Sequence, residues 1–332
     1  MGYIRFYLAF LVYASHVEWF GPMFKISANY AVFSFFVISG FVVGYVAKNK
    51  YSSVGLFYFY ARRWKSLIGY YLLATLFSFA MICIYFLFYG VVISPFDKIY
   101  IAISEWNVLQ IVLYFFSLLS FFGLNVVGWQ LLPVQPSWTL GVELFSWILI
   151  YYLKFCRLPF LVAIFFVCLL ISIFLPSDKY MWYGMEYFVL GLIALNFRSS
   201  FIESFSLSWL NGNYGFFFVI FLYMFSFDYI CAMPYFIGIV LVFVDLKNEP
   251  SFVDDFFGNI SYPFYLFHVP CFKVASFLTS RVPGGGQSLI WVFLSFLIPF
   301  LISAVIIYLF PRSTSRLYKK HIFKDGLQKS AQ

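Results

Sequence analysis

Eleven apolar stretches recur along the chain, at 6–24, 28–47, 66–94, 108–127, 137–153, 159–176, 180–197, 213–227, 229–244, 256–277 and 288–310. Runs of this length are what a bilayer demands of a helix, about 20 residues for about 30 Å of hydrocarbon. Inside lipid every backbone N–H and C=O must find a partner within the protein, so repeated runs of this kind imply helices. With 64% hydrophobic and only 10% charged residues, the chain has too little polar surface to be a soluble domain. The expected fold class is all-α, a polytopic integral membrane helix bundle.

Charge decides the number of crossings. Strict alternation of eleven spans would put Lys154 and Arg157 on the wrong side of the membrane. If 108–127 lies in the interface or re-enters instead, ten crossings remain and both termini are cytoplasmic. Arg5, Lys48, Lys50, Arg62, Arg63, Lys65, Lys154, Arg157, Arg198, Lys247 and the six basic residues of the tail then fall inside. Only Lys25, Lys98, Lys179, Lys273 and Arg281 fall outside or near that face. The positive-inside bias therefore selects about ten transmembrane helices plus one interfacial or re-entrant segment.

The chain divides into a membrane domain, 1–310, and a basic cytoplasmic tail, 311–332, suited to anionic lipid. A net charge of +8 would point to nucleic acid in a soluble protein; here it orients helices, and no nucleic-acid partner is expected. The five cysteines have no Cys-x-x-Cys spacing, which excludes a zinc site or a disulfide framework from the reading. No small-residue cleavage site follows the first helix, which reads as a retained anchor. Pro283-Gly284-Gly285-Gly286 is a flexible outer loop without the Gly-Lys-Ser/Thr of a phosphate loop.

Ionisable groups inside spans are few, and each is a functional candidate. Arg5 and His16 are eleven residues apart, so on one helix they lie about 20° from the same face with a rise of about 16 Å. His16 reads either as a working imidazole or as a structural one bonded to backbone. Arg62, Arg63 and Lys65, beside Tyr60 and Trp64, either grip a phosphorylated ligand or set topology. In Pro136-Ser137-Trp138-Thr139-Leu140-Gly141-Val142-Glu143, Ser137 is an expected N-cap and Thr139 shares a face with Glu143. Glu143 should be paired, with an imidazole as one option and a purely structural bond as the other. Ser261, Tyr265 and His268 share a face of a later helix interrupted by Pro263. Glu18, Glu186 and Asp228 also lie in or near spans; no ligand spacing links the acidic and imidazole groups, so no metal is expected.

Four stretches together resemble the membrane acyltransferase family 3, whose members O-acetylate surface polysaccharides and other acceptors. The family opens with a basic residue and, after ten intervening residues, a histidine, matched by Arg5 and His16. Its Ser-Gly-Phe signature in the second helix is matched by Ser39-Gly40-Phe41, its Trp-Ser-Leu-x-x-Glu by Trp138–Glu143, and its Ser-Tyr-x-x-Tyr-Leu-x-His by Ser261–His268. Their order covers the chain from end to end. One departure stands out. In the family's Phe-Tyr-x-x-Arg-x-x-Arg-x-x-Pro pattern Arg63 takes the first arginine, but Ser66 replaces the second and Gly69 the proline.

The resemblance implies an acetyl-CoA-dependent O-acetyltransferase of the bacterial inner membrane. Its acceptor would be a hydroxyl of a surface polysaccharide (O-antigen, capsule or exopolysaccharide) or of a lipid-linked precursor. Acetyl-CoA phosphates would meet Arg5, Arg62, Arg63 and Lys65 from the cytoplasm. His16 would act as general base with Glu143 orienting it, and Ser39, Trp138, Ser261, Tyr265 and His268 would line or brace the site. The competing readings are a multi-pass transporter, against which the absence of a clear inverted repeat counts, and a polysaccharide polymerase or flippase.

Overall fold

The structure, a computed structural model, describes residues 2–17, 22–90, 92, 96–121, 124, 129–175, 182, 184–196, 252–280 and 288–310. The expected spans 213–227 and 229–244, Glu18, Asp228, the loop at 283–286 and the tail 311–332 lie outside them. Among the described residues there are ten α-helices and no strand: α1 (Gly2–Ser15), α2 (Pro22–Asn49), α3 (Leu56–Tyr89), α4 (Phe96–Glu105), α5 (Val108–Ser120), α6 (Trp138–Leu153), α7 (Leu158–Phe174), α8 (Met185–Asn196), α9 (Phe252–Thr279) and α10 (Leu289–Leu309). Three stretches are long and apolar enough to cross a membrane: Ala31–Asn49 of α2, α3 and α10.

The helices begin and end where local chemistry dictates. The expected first span at 6–24 is shorter in the structure. Its helix stops at Ser15, and Pro22 opens α2 at the first helical position, where a missing N–H costs nothing. Gly90, at φ 64°, ends α3, which at 34 residues is about 51 Å long. Asn107 and Gln110 cap α5 reciprocally, each side chain accepting the other's backbone N–H at 3.0 Å.

α1 is the centre of the bundle. Leu8, Ala9, Leu11, Val12, Tyr13 and Ala14 are all buried. It lies against α2 on one flank and α9 on another. α10 closes a third side, with Phe6 against Phe300 and Tyr13 Oη donating to the Val292 carbonyl at 3.0 Å. At its start, Asp254 of α9 accepts the Gly2 and Tyr3 backbone N–H groups through Oδ1, at 2.8 and 3.1 Å. Those are orphan donors of a helix N-terminus, and a carboxylate there is favoured by the helix dipole.

Contact registers give the helix directions. Tyr70 meets Tyr262, Phe77 meets Phe267, and Tyr85 bonds the Lys273 carbonyl, so α3 and α9 run parallel. Tyr3 meets Phe257 and His16 meets His268, so α1 runs with them. α6 runs the opposite way to α3: Phe59 meets Tyr151, and Arg63 sits over Trp147. α2 crosses α8 with backbones nearly touching; a Cβ at Gly40 would lie 2.1 Å from the Phe188 carbonyl oxygen, and one at Gly191 would lie 2.2 Å from that of Val37. Only glycine permits so close a crossing.

The described residues from the end of α5 to α6 meet α3 first near its start and then further along. The Leu119 and Ser120 carbonyls accept from Trp64 and Tyr60 near the start of α3. Leu131 is then back beside Tyr114, whose hydroxyl it accepts at 2.9 Å, and Pro133 accepts from Ser78, further along α3. These bonds hold the Gln135–Ser137 turn that leads into α6.

Candidate functional site

Some of the polar side chains singled out from the sequence, Arg5, His16, Ser39, Arg63, Glu143, Tyr265 and His268, lie along one column between α1, α2, α3, α6 and α9. At its centre the Ser39 hydroxyl donates to Glu143 Oε1 at 2.7 Å. Both residues are half-buried. One turn on along α6, Trp147 Nε1 donates to Ser39 Oγ at 3.5 Å, and the Arg63 guanidinium lies 5.4 Å from the centre of the Trp147 ring. Glu143 is within electrostatic reach of both Arg63 and Arg5. The two cations, 58 positions apart in sequence, therefore act on one carboxylate.

Toward the other end, Glu143 also acts electrostatically on Tyr265. The Tyr265 hydroxyl donates to the Pro136 carbonyl at 3.2 Å and lies 3.3 Å from Thr139 Oγ1. Thr139 in turn donates to Pro136 at 3.1 Å. Beyond Tyr265 stand the histidines. The His268 and His16 ring centroids are 5.4 Å apart, with Phe272 against both. His268 is fully buried and His16 is exposed.

Several expectations change in detail. His16 is not within α1; it sits in the turn just after it, its backbone N–H bonded to the Tyr13 carbonyl at 3.0 Å. A turn at a helix end leaves the side chain room that an interior position would deny it. Glu143 is partnered by a serine hydroxyl instead of an imidazole. Ser137 stands at the N-cap position of α6 but makes no cap bond, because its hydroxyl donates back to Val134 at 2.6 Å. Ser261 likewise turns inward, donating to the Gly258 carbonyl of its own helix at 2.8 Å. Trp138 is half-buried at the first position of α6.

The basic cluster splits into two. α3 starts at Leu56, ten residues before the expected span, so Arg62, Arg63 and Lys65 lie on the helix itself. Arg62 and Lys65 are exposed, whereas Arg63 is half-buried and turned toward Trp147. Glu186 is buried on α8, accepting from Ser172 at 2.8 Å, away from the column. Among the described residues no group of three or more His, Cys, Asp or Glu is arranged to hold a metal.

Two contributors were not read from the sequence. Trp147 is one turn beyond Glu143 on the same face, a spacing that could have flagged it. Asp254 holds the base of α1 from 252 positions away, and no local pattern marks it. Searches against protein-family models, curated proteins and solved structures find no match to the chain.

Proposed function

We propose that this chain is an integral-membrane O-acetyltransferase, moving an acetyl group from acetyl-CoA to a hydroxyl of a surface polysaccharide or its lipid-linked precursor. The observation that carries the reading is the column itself: cations at one end, a carboxylate–serine pair midway and an exposed imidazole at the other. A donor with anionic phosphates at one end and a thioester at the other matches that order of groups. Arg62 and Lys65 are exposed on the first turns of α3 and fit phosphate oxygens there, while Arg63 and Arg5 face inward to Glu143.

In this mechanism the acceptor oxygen attacks the acetyl carbonyl carbon and the C–O bond forms as the C–S bond breaks. His16 takes the hydroxyl proton and returns it to the departing sulfur, leaving the ester and free thiol. An imidazole suits both steps because its basicity lies close to working pH. Glu143 holds the cationic end together and fixes Ser39, instead of orienting His16 directly.

The same proposal includes topology: ten crossings, 108–127 re-entrant, both termini cytoplasmic and residence in a bacterial inner membrane. Two observations support it. α5 has 13 residues, about 20 Å, which is short of a bilayer, and the chain returns beside it at Tyr114. Lys154 Nζ, just past α6, donates at 3.0 Å to the carbonyl of Tyr51, just past α2, which brings Lys154 to the end of the bundle where Lys48 and Lys50 stand.

Mass spectrometry of the host's surface glycan, with and without the chain, tests the proposal. The expected result is loss of an acetyl mass increment when the chain is absent. An unchanged glycan, with labelled solute crossing the membrane instead, would transfer the column to a carrier.

A further inference from the structure

We propose that His268 is the positioning residue for His16: its Nε2 accepts the His16 ring N–H, so that the other His16 nitrogen presents its lone pair to the acceptor hydroxyl. This rests on the acetyltransferase reading for its chemistry, but the pairing stands on geometry alone.

His268 Nδ1 lies 2.7 Å from the Tyr265 carbonyl oxygen. A carbonyl only accepts, so Nδ1 must carry the proton. In the neutral ring this leaves Nε2 as a bare acceptor. That atom is buried and has no hydrogen-bond partner, on a residue with no exposed surface. A buried acceptor left unpaired costs its full desolvation, so the site is built to receive a donor. Phe272 and the Tyr265 ring, which flank His268, offer no N–H, and the Tyr265 hydroxyl is already committed to Pro136.

His16 is the donor within reach. Its ring centroid is 5.4 Å from that of His268. Turned nitrogen to nitrogen, rings at that separation are about 3 Å apart, a hydrogen-bond distance. His16 is exposed in a turn, and catalytic hydrogen bonds commonly tighten only when substrate arrives. The division of labour follows from burial: His268 is sealed from any substrate, while His16 is open to one. Donating one N–H to His268 leaves the second nitrogen of His16 unprotonated and aimed outward. That nitrogen takes the acceptor's proton, gives it back to the thiolate sulfur, and both rings end as they began.

The chain carries three histidines, His16, His268 and His321, so nitrogen-15 NMR of the imidazole-labelled full-length protein in nanodiscs can resolve each ring. The unsubstituted protein should show a coupling across a hydrogen bond between the two ring nitrogens and a single His16 tautomer. His268→Asn, which keeps a donor for Tyr265 but places no acceptor at the Nε2 position, should turn that into a mixture of tautomers. No coupling, or a His16 tautomer indifferent to His268→Asn, would overturn the pairing. In labelled acetyl-CoA assays at matched abundance, His268→Asn should lower kcat about tenfold to a hundredfold with KM for acetyl-CoA unchanged. His268→Gln, whose amide oxygen can stand near the Nε2 position, should recover several-fold of the loss. Equal loss in both variants would make His268 a packing residue only. Absence of label transfer by the unsubstituted protein defeats the acetyltransferase reading and leaves the NMR result to judge the pair.

Discussion

The two faces of α2 meet their neighbours in opposite ways. On one, Gly40 brings backbone against backbone at the α8 crossing, with Phe36 stacked on Phe188 at 4.6 Å beside it. On the other, Ser39 reaches Glu143 and Trp147, and both members of the Ser39–Glu143 pair keep partial exposure. One residue step, about 100° of helix rotation, separates a dry joint from the middle of the polar column. Ser39-Gly40-Phe41 is thus three tasks in three positions: a hydrogen bond, a close approach, and a fully buried ring at Phe41. Loss of function at this motif therefore has two distinct origins, and substitutions can separate them.

The largest effect belongs to the dry face. Gly40→Leu forces a side chain where a single Cβ would already be 2.1 Å from a carbonyl oxygen, and it should abolish folded protein. Monodisperse yield after detergent extraction reads this; a well-behaved Gly40→Leu protein would show that the crossing is not as tight as described. On the polar face, Glu143→Gln keeps an acceptor for Ser39 and should leave yield intact, but cut acetyl transfer about a hundredfold because the carboxylate charge within reach of Arg5 and Arg63 is gone. A fall in yield equal to the fall in rate would erase the contrast. Ser39→Ala should cost about tenfold in rate, the worth of one hydrogen bond to a charged group, with normal yield. The smallest effect is expected at the base of α1. Asp254→Asn keeps an acceptor for Gly2 and Tyr3 and loses only the interaction of charge with the helix terminus, about 0.3–1 kcal/mol. Thermal melting should drop by about one degree while the rate per folded molecule stays unchanged.

Much of the column was legible because lipid makes polar residues conspicuous. Glu143 and His268 each interrupt an apolar run, and their cost in that setting marks them before any contact is known. What could not be read was pairing. Ser39 and Glu143 are 104 positions apart, and His16 and His268 are 252 apart, so no helical period relates them. Hydropathy also overran the first helix: the apolar run continues past Ser15, but the helix does not. Trp147 reads as one more aromatic packing residue until Arg63 is found over its ring. The departure at Ser66 and Gly69 has a local outcome. Ser66 donates to the Arg63 carbonyl at 2.6 Å and is exposed, while a Cβ at Gly69 would meet only open space.

Acetyl transfer from isotopically labelled acetyl-CoA into glycan acceptor, by membranes holding equal amounts of the unsubstituted chain and of His16→Ala, tests the account most directly. The account predicts label in the glycan with the former and background with the latter. Equal labelling by both would contradict it, because the exposed imidazole at the end of the column would then have no part in moving the proton.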